Sequence, residues 1–145
     1  MNKVQMAYLA GLIDGEGNIA IQTRAAGNHG TRQRSYINYL RVANTDIRML
    51  EWIRETTGYG TISSDVRQRG NRRQCYQWIC AARQAEEILR AVFPYLVIKK
   101  EQAALVFEFR ATFIVRHCRG GVPTDLLMRR KRHFEQLQAM HKGQF

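Results

Sequence analysis

The sequence predicts an α+β fold in which a four-stranded antiparallel sheet is covered by helices on one face. Three observations carry this. Segments with helical apolar spacing alternate with segments of period-two alternation, the latter come in pairs, and the pairs are joined by turn-rich stretches. At 145 residues with 45% hydrophobic content, the chain suits one compact domain over 1–145.

Each element follows from local pattern. From Val4 to Ile13 a bulky face (Met6, Leu9, Ile13) and a small face (Ala7, Gly11, Gly15) share one helix. "NIAIQTR" (18–24) alternates, with Ile19 and Ile21 on one side and Ala20, Gln22 and Arg24 on the other. After a turn-rich stretch, "SYINYLRVAN" (35–44) sets Leu40 and Val42 against Tyr39 and Arg41, and the two strands are expected to pair. "TDIRMLEWIRETTG" offers Thr45 as N-cap, Asp46 in the first turn, apolar Ile47, Leu50 and Ile53, and Gly58 as terminator. A second strand pair, "YGTISSDVRQ" and "RQCYQWICA", turns at Gly70 and Asn71. Helices over Arg83–Phe93, about 99–117 and about 124–140 complete the order, broken at Pro94 and at "RGGVP".

Charge narrows the function. Twenty-three Lys and Arg against twelve acids give a net +11, with a pI near 10.2, which calls for a polyanionic partner. Nucleic acid and an anionic membrane surface are the candidates. Four arginines (24, 32, 34, 41) fall in the first strand pair and four more (67, 69, 72, 73) in the second, a placement suited to a ribbon lying in a DNA groove. A sheet with one solvated face would also carry polar residues at every second position. The run Arg129–Arg132 reads either as a solvated helix face or as a phosphate contact. Cys75, Cys80 and Cys118 form no CxxC pair, and no apolar run approaches a membrane span. The chain is expected to be intracellular, in a prokaryotic cytoplasm or an organelle (chloroplast or mitochondrion), and not secreted, with no membrane partner.

The stretch "LAGLIDGEG" (9–17) resists this electrostatic logic, because Asp14 and Glu16 sit where a helix already presents partial negative charge. A cation resolves the conflict: carboxylate plus backbone carbonyl is an oxygen donor set of the kind Mg²⁺ takes. Asp14 alone could instead end the helix through a local hydrogen bond. Ala7, Gly11 and Gly15 recur every fourth residue, leaving a face on which a second helix can approach closely. Two such helices would set two carboxylates side by side, an arrangement suited to phosphodiester hydrolysis.

The nine residues closely resemble the signature of LAGLIDADG homing endonucleases, differing at Gly15 and Glu16, and the likeness extends through "VANTDIRMLEWIRETTGYG" and "FPYLVIKKEQAALV" to cover about residues 4–115. The helical extension over about 116–145 lies beyond it. The resemblance implies an αββαββα fold with a saddle-shaped sheet, and a divalent-metal endonuclease that cuts a long pseudo-palindromic site as an intron-encoded homodimer. It implies Glu16 as metal ligand with the Gly15 carbonyl, Lys99 as the basic residue near the scissile phosphate (Lys100 if the register slips), and Asn44 and Arg48 in the surrounding polar network. Asn44 stands where relatives more often have Gln. Mg²⁺ is the implied cofactor, with Mn²⁺ an alternative and Ca²⁺ binding without cleavage.

The implied dimer interface comprises Ala7, Tyr8, Gly11, Leu12 and Gly15. Alternation and resemblance agree on DNA contacts from Gln22, Arg24, Tyr39, Arg41, Thr61, Ser63, Arg67 and Arg69, and the turns add Arg32, Arg34 and Arg72. In the last strand Arg73, Gln74 and Tyr76 are expected to face DNA, with Gln77 replacing Tyr76 if a bulge intervenes. The partners are then double-stranded DNA, a second copy and, in the maturase alternative, intron RNA. Relatives that bind without cutting, as RNA maturases or DNA-binding regulators, define the second functional reading. A ribosomal or chromatin-type basic protein would account for the charge but not for the glycine face or the helix-end acids.

Overall fold

The computed structural model describes residues 1–24, 35–64, 73–113 and 121–143. The elements are α1 (Lys3–Glu16), β1 (Gly17–Arg24), β2 (Ser35–Asn44), α2 (Ile47–Thr57), β3 (Thr61–Ser64), β4 (Tyr76–Ala81), α3 (Ala82–Val92), α4 (Lys100–Ala111) and α5 (Thr124–His141), with a short 3₁₀ turn at Phe93–Tyr95. The strands form one antiparallel sheet in the order β1-β2-β4-β3, so the expected α+β class and pairing hold. The turn at Gly70 and Asn71 and the C-terminal part of the expected 99–117 helix lie outside the described residues.

Register fixes two faces. Directly paired residues share a side, so Ile19 with Leu40 and Cys80, and Val42 with Trp78 and Ile62, form the inner row. Helices α1, α2 and α3 seal it with Leu9, Ile13, Leu50, Ile53, Ile88 and Leu89, all at most 2% exposed. Asn18, Gln22, Tyr39, Arg41, Ser63 and Gln77 occupy the opposite, open row.

Two local expectations are corrected. Asp46, not Thr45, caps α2: its side chain accepts the Arg48 N–H, while its own N–H is taken by Asn44 Oδ1 at 2.8 Å. The C-cap Gly58 stands at φ 72, as its position in the sequence suggests. Arg130 leaves the solvated run and is 4% exposed, donating to Thr112 Oγ1 (2.9 Å) and the Thr112 carbonyl (3.0 Å), with its guanidinium over the Phe113 ring at 3.7 Å. This clamp, with Leu137 packed in a second core of Ile21, Leu105 and Phe109, fixes α5 along α4 and the β1 edge.

Candidate active site and nucleic-acid interface

The site is built on the end of α1. Gly17 turns the chain from helix into strand, its N–H donating to the Ile13 carbonyl. A Cβ at Gly17 would stand 2.6 Å from that carbonyl oxygen, so only glycine allows so tight an exit. By contrast, a Cβ at Gly11 or Gly15 would meet nothing within 4 Å.

The two acids separate cleanly. Asp14 accepts the backbone N–H groups of Val97 (2.8 Å), Ile98 (3.2 Å) and Lys99 (2.9 Å), and so caps the start of α4 from another helix. In return, Lys99 Nζ donates to the carbonyls of Ile13 (2.8 Å) and Asp14 (2.6 Å), neutralising the end of α1. Partial burial pushes the Asp14 pKa upward, but the N–H groups of Val97, Lys99 and Ile98, with the Lys99 charge, outweigh it and hold it below 3.8. Burial lowers the Lys99 pKa, opposed by the charges of Asp14 and Glu16. The cation that excuses Asp14 is therefore the chain's own lysine, and the carboxylate is structural, though through N–H groups 83 to 85 residues away and not through a local bond that ends the helix.

Glu16 is different. It is exposed, and among the described residues its side chain has neither hydrogen bond nor ion pair. It lines the largest described cleft, about 610 Å³, together with Asn18, Gln22, Arg41 and Gln77 from the open sheet face. The Gly15 carbonyl lies beyond the last intrahelical bond, to Ile13, and has no helical donor. Free carboxylate and free carbonyl side by side fit a hard divalent cation. Among the described residues no group of three or more His, Cys, Asp or Glu could hold a metal, so these two would need oxygens from water, phosphate or a second copy.

Of the two lysines, Lys99 lies at the end of α1 beside Gly15 and Glu16, whereas Lys100 is exposed with its ammonium 5.2 Å from the Phe93 ring centroid. Asn44 and Arg48 are engaged locally at the start of α2. Arg48 pairs with Asp46 at 2.6 Å, and this hydrogen-bonded partner holds the Asp46 pKa down to about 2.

On the open face, Arg41 Nη2 donates to Gln22 Oε1 at 3.0 Å and its guanidinium carbon stands 5.3 Å from the Tyr39 ring centroid. Arg41 Nε is buried without a partner in the described structure. Arg24, Thr61, Ser63, Arg73 and Gln74 are exposed. Tyr76 is a correction: it pairs with Asn44 and Ser64 on the inner row and packs on the core, while Gln77 pairs with Ala43 and Ser63 on the open row. Strand β4 starts only at Tyr76, so alternation counted from Gln74 runs out of phase. Arg32, Arg34, Arg67, Arg69 and Arg72 lie outside the described residues.

Ala7, Tyr8, Gly11 and Gly15 are exposed on α1, and Leu12 is half-buried against the core. Sequence reasoning missed Val4, 78% exposed, and Val97 and Ile98, 83% and 72% exposed, the last two held at the end of α1 by Asp14. Their apolar character was the available signal, but only the Asp14 contacts bring 97 and 98 to this helix.

The sequence profile described as LAGLIDADG endonuclease matches residues 9–106. The chain belongs to the LAGLIDADG endonuclease family. Among solved structures it is similar to I-CvuI, a homing endonuclease crystallised on the I-CreI target with 2 mM Mg and DNA not cleaved (TM-score 0.77, 20% identity, 95% of this chain and 82% of that one). It is also similar to the archaeal intron-encoded homing endonuclease I-Vdi141I in complex with DNA (TM-score 0.75, 16% identity, 93% and 82%). All of this chain matches 49% of I-SmaMI, a LAGLIDADG homing endonuclease bound to cleaved DNA (TM-score 0.69, 19% identity). No curated protein matches by sequence. Among the described residues no helix is long and apolar enough to cross a membrane.

Proposed function

We propose that this protein is a divalent-metal-dependent, site-specific double-strand DNA endonuclease that acts as a homodimer in intron homing, as one domain over 1–145. The observation that carries the reading is Glu16: a carboxylate without a partner among the described residues, at the end of a glycine-faced helix, opening into the same cleft as Arg41, Gln22 and Gln77. Pure binding of a polyanion gives no reason for an exposed acid there.

In this reading, α1 helices of two copies pack through Ala7, Gly11 and Gly15, with Tyr8, Leu12, Val97 and Ile98 extending the contact. Among the described residues nothing packs within 4 Å of where a Cβ would stand at Gly11 or Gly15, and glycine in a helix costs about 1 kcal/mol relative to alanine, so a partner would supply their reason.

Glu16 and the Gly15 carbonyl would hold the metal, Mg²⁺ or Mn²⁺, with Ca²⁺ supporting binding only. When bound, the metal supplies activation of water and charge stabilisation at the scissile phosphate. Lys99 has two donors committed to α1 carbonyls and one left to meet a phosphate oxygen. Arg41, hydrogen-bonded to Gln22, presents an oriented guanidinium to base edges or phosphate, flanked by Tyr39, Thr61, Ser63 and Gln77. Arg24, Arg73 and Gln74 extend the surface toward its ends. Asn44 and Arg48 order polar groups near the α2 start.

The test is cleavage of a duplex built from the uninterrupted gene flanking this reading frame, with Mg²⁺, with Ca²⁺ and with chelator. Site-specific cutting in Mg²⁺ alone supports the reading. A protein that binds this duplex yet never cuts it is a binder of the maturase or regulator kind.

A further inference from the structure

The family profile ends at residue 106, yet α5 forms one wall of the cleft that contains Glu16. Phe134, Leu137, Gln138 and His141, at helical spacing, face Glu16, Asn18, Gln22 and Arg41 across it. The wall is fixed: Leu137 is 1% exposed in the second core, and the Arg130–Thr112 clamp ties the preceding turns to the end of α4. On the same helix, Gln136 belongs to clefts against α4 instead, so α5 presents two distinct sides.

We infer that the last turns of α5 form a backbone-phosphate subsite, with Gln138 and His141 contacting the strand that passes Glu16. This rests on the nuclease reading and adds to it. The sheet contributes Arg41 and Gln22 from below, and α5 contributes donors from the side, so a phosphate chain entering the cleft meets both walls. The two α5 residues are positioning and binding groups that hold the strand in register beside the metal ligands. Amide and imidazole N–H groups suit phosphate oxygens and read no sequence.

The experiment compares one substitution at two sites. Gln138→Glu and Gln136→Glu carry the same charge change two residues apart on one helix, and binding to a random-sequence duplex without metal is measured by anisotropy, with Tm as a check on folding. Gln138→Glu, and likewise His141→Glu, should weaken binding about tenfold, since an acid on the wall repels phosphate, while Gln136→Glu stays near wild type. Equal affinity of the two glutamine variants overturns the subsite. If Arg41→Ala still weakens binding in that case, the sheet interface stands and only the α5 inference falls. A wild-type chain that binds no duplex overturns both.

Discussion

Helices α1 and α3 cover the same sheet face, yet only one is explained by its own chain. α3 buries Ala85, Ile88, Leu89 and Val92 and shows solvent Arg83, Gln84 and Arg90, with ion pairs Arg83–Glu87 at 2.8 Å and Arg90–Glu86 at 2.9 Å. α1 buries Leu9, Ala10 and Ile13 but turns Val4, Ala7, Tyr8, Gly11 and Gly15 outward. A helix on a soluble domain ordinarily dresses its outer face in polar residues. Where it does not, as on α1, the proposed second copy would cover that face.

The largest effect that separates the two helices is on chemistry. Glu16→Gln should reduce cleavage more than a hundredfold while leaving duplex binding near wild type, since losing even an outer-shell partner of a metal costs about 10- to 100-fold. Gel-based cleavage and anisotropy on the same duplex check it; an active Glu16→Gln protein removes the metal assignment.

Next comes Gly17→Ala. Its Cβ meets backbone at 2.6 Å, so a loss of about 2 kcal/mol is expected in urea unfolding. An unchanged midpoint would mean the α1–β1 exit is not as tight as drawn.

Asp14→Asn should cost about 1 kcal/mol, because a neutral amide accepts the three N–H groups less well than a carboxylate. The folded pKa of Asp14 is depressed below 3.8, so its contribution is complete above that value and is lost as pH falls through the lower folded value. Urea midpoints between neutral pH and pH 3 should therefore converge for wild type and variant on the acid side. A difference that is constant across that range removes the charge from the account.

On α3, Arg83→Ala should leave the urea midpoint near wild type, because its ion pair is exposed, and should leave sedimentation unchanged.

The inner rows of β1 and β2 were legible because Ile19, Leu40 and Val42 obey strict alternation, and α1 because its bulky and small faces were both periodic. Glu16 was legible because its position violates helix electrostatics. The reciprocal contact between Asp14 and Lys99 was not, since it joins residues 85 apart and a sequence shows no such meeting. Charge alone foresaw a cation for both acids, and the chain satisfied one internally. Tyr76 failed because alternation has no anchor where a strand's first residue is unknown. Arg130 failed because a run of four cations hides the one whose phase on the helix points inward.

The central claim is that the outward glycine face of α1 exists for a second copy. Sedimentation velocity of the wild type and of Gly11→Leu tests it directly, because a Cβ at Gly11 would meet nothing within 4 Å among the described residues, and the variant is expected to fold. The account predicts a dimeric wild type and a folded monomeric variant that no longer makes double-strand breaks. A wild type that is monomeric on its target, or a Gly11→Leu protein that still sediments as a dimer, would contradict it.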